Sequence, residues 1–253
     1  MKLKEIKHGV PQIVSNLHSL CIPIANGDEG TPVEQKDYST SSGKTRVYFK
    51  DLERNLIRHI SESDAVFGCV AWFTSEPIIK ALSCKDVQIV VQKEDFLRPD
   101  NDIARDGWPQ RLRSLYGSLH CRNVRGYEMP NIMWSGLSFG WAGTSPDPVR
   151  CVGNNNSAKS TAFPRSHHNF VVFCKFTKVD INDEVYDVIL PYGVWTGSYN
   201  FTKNAGRSFE NALYIEDQTI VDAYMAEYAQ IFSLSEPLDW TSEWSVPEYR
   251  IGT

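Results

Sequence analysis

The residues best suited to chemistry lie between positions 166 and 211. Ser166-His167-His168-Asn169 leads straight into the apolar run Phe170-Val171-Val172-Phe173-Cys174. Farther on come Trp195-Thr196-Gly197-Ser198-Tyr199-Asn200 and then Glu210-Asn211. A continuous run of β-branched and aromatic residues reads as a strand buried on both faces. Period two puts His167 and Asn169 on one face, with Val171 beyond them, and turns His168 to the other. A polar pair at the end of a buried strand, followed by a Gly-Ser turn and an asparagine, is the arrangement of a site that holds an anion.

The pattern resembles the phospholipase D superfamily, whose signature is His-x-Lys-x4-Asp followed by Gly-Ser-x-Asn. His167 fills the histidine, Asn169 stands where the lysine belongs and Cys174 where the aspartate belongs. Gly197, Ser198 and Asn200 match the second half, and Glu210-Asn211 matches the Glu-Asn pair that follows. The stretch from Thr196 to Asn211 is most similar to the small bacterial phospholipase D-like nucleases. The likeness spans residues 46–235. It implies an α/β fold with a mixed, mostly parallel sheet flanked by helices on both faces.

Phosphodiester hydrolysis without a metal needs a nucleophile, an acid for the leaving oxygen and positive donors on the phosphate. In the family one histidine attacks phosphorus and a second, from a second motif, protonates the leaving group. One motif is present here, so the resemblance implies a homodimer in which two copies of His167 share one phosphate on a two-fold axis. It further implies that Glu210 orients the imidazole, that Ser198 and Asn200, at the Gly197 turn, hold phosphate oxygens, and that no cofactor or metal takes part. Arg165 is a phosphate contact or a solvated loop charge. Position 174 lies on the face opposite His167, so its cysteine supports packing. Asn169 shares the catalytic face, where paired lysines normally sit beside the phosphate. Losing one charged contact in a water-poor site costs about 2–4 kcal/mol of transition-state stabilisation, roughly 30- to 1000-fold in rate. The chain therefore reads as severely weakened, as a natural pseudoenzyme or as a variant made inactive so that substrate stays bound.

The elements that must position these residues are legible in part. At 253 residues, with 42% hydrophobic and 12% aromatic side chains, the chain suits one α/β domain. Val47-Tyr48-Phe49 predicts a short strand, and Leu52, Leu56 and Ile60 recur at helical spacing. Ala65 to Phe73 predicts a buried strand. Thr74-Ser75-Glu76-Pro77 opens a helix that turns Ile78, Ile79 and Leu82 inward, before a strand from Val87 to Val91. Strand, helix, strand at this spacing predicts a parallel crossover. A helix is expected within Ile103 to Leu119, interrupted or started at Trp108-Pro109. Thr177 to Asp187 reads as a charged surface hairpin or loop, and Phe209 to Glu216 as a strand. Thr219 to Leu234 reads as a helix with Ile220, Tyr224, Tyr228, Ile231 and Phe232 on one face.

Residues 1–45 read as an extension of uncertain structure, 46–235 as the nuclease-like domain and 236–253 as a tail whose Trp240 and Trp244 pack back or meet a partner. Gly43-Lys44-Thr45 is like the end of a phosphate loop, but Tyr38 stands where that loop needs glycine. Met129 to Gly143 sets Trp134, Phe139 and Trp141 among glycines and serines, to stack bases or simply to cover the sheet.

The net charge of −5 gives no overall attraction to nucleic acid, so binding would need a local basic groove. Six cysteines without C-x-x-C spacing read as free thiols. The start lacks an apolar signal core and no stretch reaches membrane-span length, so the expectation is a cytoplasmic protein without membrane contact. Three functions fit: a metal-independent nuclease cutting DNA or RNA, a nucleic-acid-binding pseudonuclease on the same cleft, and a lipid phosphodiesterase or phosphatidyl transferase.

Overall fold

The computed structural model describes residues 15–20, 34–97, 107–121, 147–160, 163–181 and 183–247. Met129 to Gly143, with its aromatic cluster, lies outside them. An edge hairpin of β1 (Thr40–Ser42) and β2 (Thr45–Tyr48) precedes helix α1 (Leu52–Glu62). Strand β3 (Ala65–Val70), helix α2 (Glu76–Leu82) and strand β4 (Asp86–Gln92) follow, then α3 (Trp108–Tyr116) and β5 (Val149–Val152). The motif strand is β6 (Asn169–Ile181), succeeded by β7 (Glu184–Gly197), β8 (Ala212–Ile215) and α4 (Gln218–Ser233).

The strands form one mixed sheet in the order β1-β2-β8-β7-β6-β3-β4-β5. The expected crossover is there, since β3 and β4 run parallel, as do β4 and β5. The expectation of a mostly parallel sheet is corrected: the other five pairings are antiparallel. The cause is connection length. Ile181 pairs with Glu184 across a two-residue turn in which Asp183 has φ +64°, so β6 and β7 can only run antiparallel. The two parallel pairings, β3 with β4 and β4 with β5, both follow long connections.

Both faces of the sheet are covered. Leu56, Ile60, Ile78, Leu82 and Leu112, from α1, α2 and α3, pack with Val66, Val70, Val171 and Phe173. On the opposite face Val221, Met225 and Tyr228 of α4 pack with Phe67, Cys69, Phe170, Val172 and Cys174. Alternate residues of β3 and β6 thus feed opposite layers, which is why both strands are apolar throughout. Each such side chain contributes about 1.5–3 kcal/mol when fully buried. Cys174 is fully buried against α4, the packing role expected of it.

Helix α4 buries Tyr228, Ile231 and Phe232 as expected, but its first two turns present a different face. Val221 and Met225 point inward, whereas Ile220 is 40% exposed and Tyr224 half-buried. Both i, i+4 stripes are apolar in sequence, and the sheet selects the one whose side chains fit its grooves. Strand β8 is shorter than expected because Phe209 and Glu210 belong to the loop before it, with Phe209 exposed. Among the described residues the cysteines are free, and no helix is long and apolar enough to cross a membrane.

Candidate active site

The carboxyl ends of β3, β4 and β7 meet the start of β6 at one edge of the sheet. Val70, the last residue of β3, pairs with Asn169, the first of β6. Gly197, the last of β7, pairs with Ala212 of β8. Strand carboxyl ends in open α/β sheets are where ligands bind, because the loops there converge.

Ser198 is the knot of this edge. Its Oγ donates to Glu210 Oε2 at 2.5 Å and accepts from the Asn211 backbone N–H at 3.1 Å. Its own N–H donates to the Asn211 carbonyl at 3.2 Å. Asn169 is 6% exposed; its Oδ1 accepts from the Ala71 N–H at 3.2 Å and its Nδ2 faces the Ser198 carbonyl at 3.5 Å. Gly197 permits this closeness, since a Cβ there would lie 2.3 Å from the Asn211 carbonyl oxygen. The loop from Ser198 to Asn211 is anchored from below by buried Tyr199, Phe201 and Ala205. The Phe201 carbonyl accepts from the N–H groups of Thr74 and Ser75, tying the loop to the start of α2, which Ser75 caps.

Asn200 turns its Oδ1 into the protein, where it has no partner among the described residues. The Tyr199 hydroxyl is also buried without a partner among the described residues. Burial first, then the charges of Glu53 and Glu210, hold that phenol neutral far above its usual range.

His167 and Arg165 are exposed in the segment leading into β6. The His167 ring lies edge-on to Trp72, centroids 5.5 Å apart at 83°. The structure therefore brings Asn169, Gly197, Ser198 and Glu210 into one network at the strand ends. His167 emerges beside it, with Trp72 rather than Glu210 as its ring contact. His168 leaves by the other face, as its register requires, and its Nε2 lies 3.4 Å from Glu227 on α4. Lys203 and Arg207 in the loop and Arg165 before β6 are exposed cations on a chain of negative net charge.

Sequence reasoning missed Trp72, Gln92 and Glu94. Trp72 donates from Nε1 to Glu94 at 3.1 Å, and Gln92 Oε1 accepts from the Ser166 N–H at 2.7 Å. The available signal was the polar triplet Gln92-Lys93-Glu94 ending an apolar parallel strand. Among the described residues no group of histidine, cysteine and carboxylate side chains could hold a metal ion.

No protein-family model matches the sequence. In fold the chain is similar to NucT from Helicobacter pylori, with TM-score 0.44 and 14% identity over 77% of this chain and 98% of that one. It is also similar to Nuc from Salmonella typhimurium, a phospholipase D family member, with TM-score 0.43 and 15% identity over 76% and 95% of the two chains. In sequence it is 35% identical over 209 residues to Uncharacterized protein L381 of Acanthamoeba polyphaga mimivirus, covering 80% of this chain and 70% of that protein. An identity of that extent places both in one lineage, and the chain belongs to the family of L381.

Proposed function

We propose that the protein is a phosphodiesterase of the phospholipase D type, a nuclease acting on DNA or RNA through a phosphohistidine at His167. The observation that supports this most is the knot around Ser198. Motif residues from two distant segments, Asn169 and Gly197 to Asn211, are hydrogen-bonded together at the strand edge where His167 emerges. In this reading Ser198 and Asn200 hold phosphate oxygens, Arg165 adds positive charge, and the imidazole of a second copy across a two-fold axis completes the acid-base pair. Residues 46–235 form the active unit, flanked by 1–45 and 236–253. No cofactor is needed for these steps.

The weak point is Asn169. A lysine there would carry charge to the phosphate, whereas the asparagine amide is directed to protein backbone on both sides. The same observation favours a second reading, a nucleic-acid-binding protein that uses this cleft without turnover. Asn169→Lys separates the two. The Ala71 N–H keeps a partner in this variant, since it also donates to the His168 carbonyl at 2.8 Å. Nuclease function predicts that the variant cleaves DNA or RNA in chelator at least 30-fold faster than the parent, sediments as a dimer and loses all activity with His167→Ala. Binding with no cleavage by the lysine variant selects the pseudonuclease. Release of a lipid head group would select a lipid phosphodiesterase instead.

A further inference from the structure

Glu210 takes the Ser198 hydroxyl, so the His167 segment must be held by something else. The hydrogen bonds of Gln92 identify the holder. Gln92 is the last residue of β4 and is 2% exposed. Its Nε2 donates to the carbonyls of Lys93 at 2.9 Å and Asn154 at 2.7 Å, and its Oε1 accepts from the Ser166 N–H at 2.7 Å. Two carbonyls on one side and an N–H on the other fix which way round this amide sits.

Gly153 makes the room. It has φ +88°, and a Cβ there would lie 2.6 Å from Gln92 Oε1. One residue past Ser166, the imidazole of His167 rests against Trp72, whose indole is pinned by Glu94, two residues past Gln92.

We infer that Gln92 is a positioning residue for His167: its buried amide clamps the Ser166 backbone and so fixes where the imidazole of the next residue is presented. This rests on the proposed role of His167 as nucleophile. An attacking group displaced by about 1 Å can lose on the order of 100-fold in rate while substrate binding is unchanged. Positioning should therefore appear in kcat and not in KM.

The test uses Gln92→Met, which keeps the volume and removes the hydrogen bonds, and Gln92→Glu, which keeps the acceptor for Ser166. Amide hydrogen exchange is followed by NMR in the parent and both variants, and cleavage is measured in the Asn169→Lys background. The expected result is faster exchange at Ser166 in Gln92→Met, with kcat at least 10-fold lower and KM within two-fold. Gln92→Glu keeps the acceptor for Ser166 but can donate to the Lys93 or Asn154 carbonyl only when its carboxyl is protonated. It should therefore recover Ser166 protection as the pH is lowered, where Gln92→Met does not. Unchanged Ser166 exchange in Gln92→Met, or a loss confined to KM, overturns the inference. If the Asn169→Lys background shows no cleavage, the nuclease reading fails, and the exchange data alone then decide whether Gln92 holds the segment.

Discussion

At the scale of single residues, function here depends on how closely two backbones approach. Gly197 lets β7 end against Asn211, and that contact carries the Ser198–Glu210 bond. Gly197→Ala would force the two segments apart at a cost of about 1–3 kcal/mol. The expected outcome is a lower thermal midpoint by calorimetry and, on the proposed function, weaker nucleic-acid binding by fluorescence anisotropy of the same preparation. Such residues were legible because a motif is a local string: Gly197, Ser198 and Asn200 stand within three positions of one another. The partners of the His167 segment were not legible. Trp72, Gln92 and Glu94 come from 70 or more positions upstream, and only strand pairing reveals that β3 and β4 end beside residue 167.

At the scale of elements, α1 shows how an apolar spacing can hide a polar member. His59 continues the stripe of Leu52, Leu56 and Ile60 and is 2% exposed, stacked on Tyr214 with centroids 3.8 Å apart. Burial, with Arg58 and Arg46 nearby, lowers its pKa from 6.5 to about 4. Below pH 6.5 the unfolded chain takes up a proton that the folded chain refuses. Stability is therefore complete above about pH 6.5 and is lost as the pH falls toward 4, by up to about 3 kcal/mol. Denaturant midpoints at pH 7 and pH 4.5 should differ clearly in the parent and much less in His59→Phe, which keeps the stacking. Periodicity located α1 and α2 well because each has one apolar stripe. In α4 it found Tyr228, Ile231 and Phe232 but misplaced the first two turns, where Ile220-Tyr224 and Val221-Met225 compete and only the facing sheet decides.

At the scale of the whole molecule, residues 235–247 pack at the far side of the sheet, beside β5. Lys93 is wholly buried; its Nζ donates to Glu236 Oε1 at 2.5 Å and to the carbonyls of Ser242 and Trp244 at 3.0 and 2.9 Å. Glu236 also pairs through its backbone with Cys151 of β5, and Trp240 is buried in the core. A buried pair is strongly destabilising to break, because one charge is left alone. Lys93→Met should lower stability by about 3–5 kcal/mol and expose residues 235–247 to protease. Lys93→Met with Glu236→Gln should recover much of the loss. Neither Lys93 nor Glu236 announced this in sequence, since a single charge in a strand and another 143 positions later carry no shared signal.

The β6–β7 ribbon behaves differently. From Lys175 to Leu190 its two strands pair with each other alone, and Val185 near the tip is 64% exposed. Because no other strand depends on that outer length, the protein offers a natural point of attachment there. Replacing Thr177–Val188 by a two-residue turn, or splicing a fluorescent reporter between Asp183 and Glu184, should leave the melting midpoint within a few degrees of the parent. Such a handle would allow the protein to be tethered to a surface while the opposite end of the ribbon, where Asn169 and Gly197 lie, stays untouched.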